Sequence, residues 1–241
     1  MRGIRRLLTT LSVPCLILAG CAAGTGETAI FPGLQGFLNR HKAPDAVTRY
    51  AALSQTNAPG MIARGKGNEA SGLLRLQTVS QDGVESWLAH DGSVISMRNG
   101  MVIASRGLGD DMMSGDASQT RALLAARAKG HAKRFVARLD GDDQIVQSSF
   151  VCDVVNAGPV QLDAPGRKIS TTYMTETCYG ADYSFRNLYW LGDEGRIWKS
   201  RQLLGGLVGP VDFQVLDAAG LAVVLGRQSS EAEPEKTEAH P

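Results

Sequence analysis

The chain has 241 residues, 43% hydrophobic, 20% charged and 6% aromatic, a globular make-up that excludes collagen-like, wholly disordered and polytopic membrane chains. Its 25 basic and 24 acidic residues leave a formal charge of +1, without the basic excess of a nucleic-acid binder or the acidic excess of a solvating tail. The length suits one large domain or two small ones.

Arg2, Arg5 and Arg6 precede a short, mostly apolar run over residues 7–18. A membrane-spanning helix needs about 20 such residues, so the run reads as an export signal. It leads into Leu18-Ala19-Gly20-Cys21, which resembles the lipobox of bacterial lipoproteins. That resemblance implies cleavage before Cys21 and acylation of Cys21 with palmitate-type chains. One chain binds a membrane marginally, whereas two or more hold it firmly. Ala22 stands where an Asp would retain such a protein at the inner membrane, so the resemblance implies an outer-membrane anchor facing the periplasm. Cleavage removes three arginines and Cys15, and turns the formal charge to −2. Cys152 and Cys178 then remain in an oxidising compartment. A disulfide between them is expected, worth roughly 3–4 kcal/mol for a loop of this length; two buried free thiols are the alternative. His41, His90, His131 and His240 lack ligand spacing with either cysteine, and neither a metal nor a cofactor is expected.

Residues 22–29 are small and polar and suit a tether. Asp45 caps an expected helix that ends at Asn57-Ala58-Pro59-Gly60. The period then changes to two, over residues 73–79, 85–90, 94–98 and 101–106. Asp82-Gly83, Asp91-Gly92 and Asn99-Gly100 between them supply the positive φ angles of tight hairpins. A second helix over residues 120–129 has Asp116 or Ser118 as cap and Gly130 as stop. Strands follow at residues 133–139, 144–155, 168–178, 183–191, 196–203, 211–216 and 221–225. Residues 229–241 are acidic and aperiodic and are expected to be disordered. The pattern describes a mainly β fold, an antiparallel meander curled into a half-barrel or barrel-like sheet with one or two helices. The organisation is a signal over 1–20, a lipidated tether over 21–30, one β-rich periplasmic domain over 31–228, and the tail.

Catalytic motifs are scarce. Neither a Gly-x-Ser-x-Gly elbow nor a phosphate loop occurs. Asp140, Asp142 and Asp143 lack the glycine and distal Glu of a calcium loop and suit a hairpin turn. Two segments mix aromatic and polar side chains. One holds Trp87 and Arg98; the other holds Asn187, Tyr189 and Trp190, with Trp198, Arg201 and Gln202 across the turn. Core packing is the favoured reading of these eight residues, and a sugar-recognition surface is the alternative.

The same segments carry a resemblance. Trp87, Asp91-Gly92, Arg98-Asn99-Gly100-Met101-Val102 and Gly107-Leu108 form one block; Asn187-Leu188-Tyr189-Trp190-Leu191, Gly195 and Lys199-Ser200-Arg201-Gln202 form a second. In order behind a lipobox, they resemble the YjbF/GfcB lipoproteins, over Cys21 to about Leu225. The resemblance implies a curled antiparallel half-barrel and a place in exopolysaccharide or group 4 capsule assembly, and it brings no catalytic residues. The function expected is therefore non-enzymatic assistance to polysaccharide assembly or export. Its partners would be the membrane through the lipid, and polysaccharide-export proteins, polysaccharide, or both; nucleic acid is not among them. A carrier of a lipid or other apolar ligand in the sheet's cavity is the alternative, and an enzyme acting on envelope glycans the third. The lipobox makes a direct prediction. Cys21→Ser moves the protein from membranes to the soluble periplasmic fraction and abolishes palmitate labelling; label retained on the variant refutes it.

Overall fold

The computed structural model describes residues 45–65, 71–139 and 144–231. The signal, the tether, Asp140–Asp143 of the expected hairpin turn and residues 232–241 lie outside them. Helix α1 (Ala46–Ser54) begins as expected, with the Asp45 carboxylate accepting from the Thr48 backbone N–H at 3.0 Å. Strands β1 (Gly60–Arg64), β2 (Ser71–Val79), β3 (Val84–Leu88), β4 (Val94–Arg98), β5 (Met101–Arg106) and β6 (Met112–Asp116) follow. After helix α2 (Ser118–Ala125) come β7 (Gly130–Leu139), β8 (Ile145–Ala164), β9 (Arg167–Tyr179), β10 (Ser184–Leu191), β11 (Ile197–Gly205) and β12 (Gly209–Leu216). Helix α3 (Ala218–Glu231) ends the described chain.

All twelve strands form one antiparallel sheet in the order β5-β4-β3-β2-β1-β12-β11-β10-β9-β8-β7-β6. Strands consecutive in the chain pair with one another except β5 and β6, and β1 pairs with β12, Gly60 opposite Leu216. The ladder is broken only between β5 and β6, so the sheet is a nearly closed barrel. Side chains occupy the donors at that seam. The Asp111 carboxylate accepts from the Gly107 and Leu108 N–H groups at 2.8 and 3.1 Å. The Ser105 hydroxyl accepts from the Met112 N–H at 2.9 Å. The expected hairpin glycines are left-handed, with φ of 77° at Gly83, 91° at Gly92 and 75° at Gly100.

Four local expectations are corrected. Residues 221–225 are helical, not a strand. Asp217 starts α3 by accepting from the Gly220 N–H at 2.8 Å, and Leu221 packs on Ile62 and Leu216 outside the barrel. A five-residue apolar run fits either period, and the cap decides. Gly130 opens β7 rather than stopping α2; Arg127 takes the left-handed conformation, φ 49°. β1 and β6 had no expected counterpart. β8 runs on to Ala164, paired with β9 throughout.

Side chains fill the barrel interior, from Met61, Trp87, Met97 and Met101 to Met174, Leu191, Leu204 and Phe213. The flexible methionines suit an irregular core. Cys152 and Cys178 face each other across β8 and β9 and are bridged, both fully buried.

A polar cluster sits within this core. Glu176 on β9 shares the inward face with Met174 and Cys178, and Arg134 on β7 shares it with Ala132 and Val136. The Glu176 carboxylate accepts from Thr120 of α2 at 2.6 Å, from Asn187 and Tyr189 of β10 at 2.8 Å each, and from Arg134 at 3.2 Å. Burial pushes the Glu176 carboxyl up, but the Arg134 charge and the three neutral donors outweigh it, and the net shift is downward. Burial, reinforced by the Glu176 charge, holds the Tyr189 hydroxyl well above its ordinary range, so it stays a donor. A folded-state value below the unfolded one stabilises the fold at pH above the ordinary glutamate value, about 4.3. That stability is lost as pH falls through the folded value. Glu176→Gln strands the Arg134 charge, and is expected to cost about 3–5 kcal/mol at neutral pH in denaturant titration. The gap from the parent protein should close on acidification below the carboxylate range; a pH-independent gap refutes the assignment.

Candidate functional site

The two aromatic-polar segments meet in space. A surface groove of about 330 Å³ is lined by Gly83, Glu85 and Trp87, by the Asn99-Gly100 turn, by Glu194, Gly195, Arg196 and Ile197, and by Val215. The first five residues come from the β2–β5 region and the next four from the β10–β11 turn and the start of β11.

Two tryptophan–glutamate pairs frame it. The Trp87 indole N–H donates to Glu85 at 3.0 Å, and the Trp198 indole N–H donates to Glu194 at 2.8 Å. Each bond occupies one oxygen of a carboxylate whose residue lines the groove. The Arg196 guanidinium lies 4.6 Å from the Trp198 ring centroid, and that of Arg167 lies 4.8 Å away. Arg167 also pairs with Asp217 at 3.1 Å. At the rim Arg98 pairs with Asp82, whose carboxyl is held below its ordinary value first by the Ser80 hydroxyl and also by Arg98.

Glycines allow these approaches. A Cβ on Gly192 would stand 2.7 Å from both a Glu194 carboxylate oxygen and the Trp198 indole nitrogen. One on Gly100 would stand 2.9 Å from Ile197 Cβ. The Arg127 guanidinium fastens the same turn, donating to the Gly192 and Asp193 carbonyls at 2.7 and 3.0 Å. Gln202 ties the two halves of the site from within. Its amide donates to the Gly100 carbonyl at 2.8 Å, and its oxygen accepts from the Val102 N–H at 2.9 Å.

The eight residues of the expected recognition surface divide. Trp87, Asn187, Tyr189 and Gln202 are buried, the last three with 0% exposure, which agrees with core packing; Trp87 reaches the groove only by an edge, at 2% exposure. Strand alternation turns Tyr189 inward and Trp190 outward. Trp190 packs on Tyr173, ring centroids 4.9 Å apart, beneath the Lys199 ammonium at 5.0 Å. Arg201 is exposed and makes a bidentate pair with Asp212, 2.7 Å in each bond, which raises its own pKa. Trp198 is 8% exposed beneath its two arginines, and Arg98 is half-buried at the rim. Cys21 lies outside the described residues.

Sequence reasoning missed Glu85, Glu194 and Arg196 in the groove, and Thr120, Arg134 and Glu176 in the core. A signal was present for some of them. Glu85 precedes Trp87 by two and so shares its strand face. Glu176 falls at the inward parity of Met174-Thr175-Glu176-Thr177-Cys178, where an unpaired charge would be prohibitive.

The chain is similar to the crystal structure of the hypothetical lipoprotein YmcC from Escherichia coli (K12). The TM-score is 0.63 at 19% identity, covering 74% of this chain and 100% of that one, a likeness of fold. No curated protein sequence matches the chain. The family model described as group 4 capsule polysaccharide lipoprotein gfcB, YjbF, matches residues 28–216, through the last residue of β12 and including the span between Asp110 and Phe150 that the motif resemblance leaves unmatched. With that match over the whole barrel, the chain belongs to the YjbF family of group 4 capsule polysaccharide lipoproteins.

Proposed function

We propose that this protein, anchored through lipid on Cys21 to the outer membrane and facing the periplasm, assists exopolysaccharide or capsule assembly or export by binding the polymer in the Glu85–Glu194 groove. The observation that carries the reading is the convergence of both family-like blocks on one polar groove. Rigid framing favours binding. Each carboxylate is set by an indole, and the turn beneath is fixed by Arg127 and Gln202. Glu176, the carboxylate of the buried cluster, has both oxygens engaged by hydrogen bonds and serves the core rather than a reaction. A lipid carrier would need interior space that Met61, Met97, Met174, Phe213 and their neighbours fill.

The test is deletion with complementation. Deletion lowers surface or secreted polysaccharide while growth stays near normal. The unaltered gene restores polymer; a Glu85→Gln/Glu194→Gln gene, expressed to the same level, does not. Gln202→Ala leaves two buried backbone groups unpaired and lowers stability by about 1–3 kcal/mol, so its polymer defect follows protein abundance. Normal polymer in the deletion strain, with neighbouring genes intact and no related copy elsewhere, overturns the assembly role.

A further inference from the structure

The groove's charge pattern bears on what it takes. Glu85 and Glu194 put two carboxylates on its wall, against one lining guanidinium, Arg196, which lies against the Trp198 ring. Among the described residues neither carboxylate makes an ion pair; each accepts from a neutral indole N–H, that of Trp87 or Trp198. Each has a second oxygen, beyond the indole bond, with lone pairs that accept from a ligand hydroxyl. A chain bearing carboxylates or phosphates would meet net repulsion here and find no lining cation pair to bind it.

Hydroxyl-rich neutral sugars fit the same atoms. A sugar hydroxyl donates to a carboxylate in a charge-assisted bond, while the Asn99 side chain at the turn and Arg196 supply donors for ring and hydroxyl oxygens. Flat stacking on tryptophan contributes little, because Trp87 is 2% exposed and Trp198 lies beneath two guanidinium groups. Recognition is thus by hydrogen bonds to the polyol edge of the chain.

Resting on the binding role proposed above, we infer that the groove between Glu85 and Glu194 selects an uncharged polysaccharide segment, read through its hydroxyls, and rejects polyanionic ones.

The experiment uses the detergent-solubilised full chain. It is titrated with neutral gluco-, galacto- and manno-hexaoses and, in parallel, with hexa-galacturonate, by calorimetry and by tryptophan fluorescence. Trp87 lines the groove, and Trp198 contacts its residues Glu194 and Arg196, so both report its occupancy. At least one neutral hexaose should bind with a fluorescence change, and hexa-galacturonate should bind at least tenfold more weakly. Glu85→Gln/Glu194→Gln should weaken neutral binding about tenfold or more while leaving the melting temperature within a few degrees, and should narrow the gap to hexa-galacturonate. If hexa-galacturonate binds in the groove as well as or better than every neutral hexaose, the selectivity inference falls and the polymer-binding reading stands. If no saccharide of either kind binds, both fall. Neutral binding that the double variant leaves unchanged places the sugar elsewhere and overturns the inference.

Discussion

One buried anion organises the interior. Glu176 gathers donors from α2, β7 and β10 onto a single carboxylate on β9, so four separate elements share one fixed point. An apolar core of similar volume would supply cohesion with less directional control. Charge-assisted hydrogen bonds are short and angular, and a slipped register of β9 or β10 would turn Glu176 outward or strand Arg134 inside. The disulfide beside it reinforces the same choice, since Cys152 and Cys178 meet only in the observed β8–β9 register.

From that point order passes outward to the groove in short steps. Asn187 donates to Glu176 and accepts from the Leu203 N–H at 2.9 Å, tying the hub to β11. One residue before Leu203, Gln202 grasps both sides of the Asn99-Gly100 turn's exit. The groove is therefore bordered by turns whose backbones are held from inside the barrel, although Glu194, Gly195 and Arg196 that line it are exposed. The same logic explains why conspicuous residues of the two segments are buried: they hold the site without touching what enters it.

The architecture was largely legible in the sequence. Asn99-Gly100 and its companions announce hairpins through φ angles that few other residues adopt, and alternation over residues 94–98 and 101–106 reproduces β4 and β5. What escaped was information that a single strand does not carry. The run at residues 221–225 has too few residues to define a period, and its conformation is set by Asp217 and by the Ile62 face it covers. The groove was half legible: Trp87 and Trp198 drew attention, but the chemistry lies in Glu85 and Glu194, whose significance depends on the fold bringing two distant turns together. Parity alone would have sent Gln202 and Tyr189 inward with their apolar neighbours Leu204 and Leu191.

The pairing of β1 with β12 sets an order of events during biogenesis. The partner of the first strand is the last one to be synthesised, so an emerging chain can fold hairpin by hairpin through β11 and still present the raw edge of β1. Closure joins segments at nearly maximal sequence separation, which places it among the slow, entropically costly steps of folding. Until β12 arrives, that unpaired edge is a template for any extended segment nearby, and a chaperone protecting this protein in transit would find its most exposed backbone there.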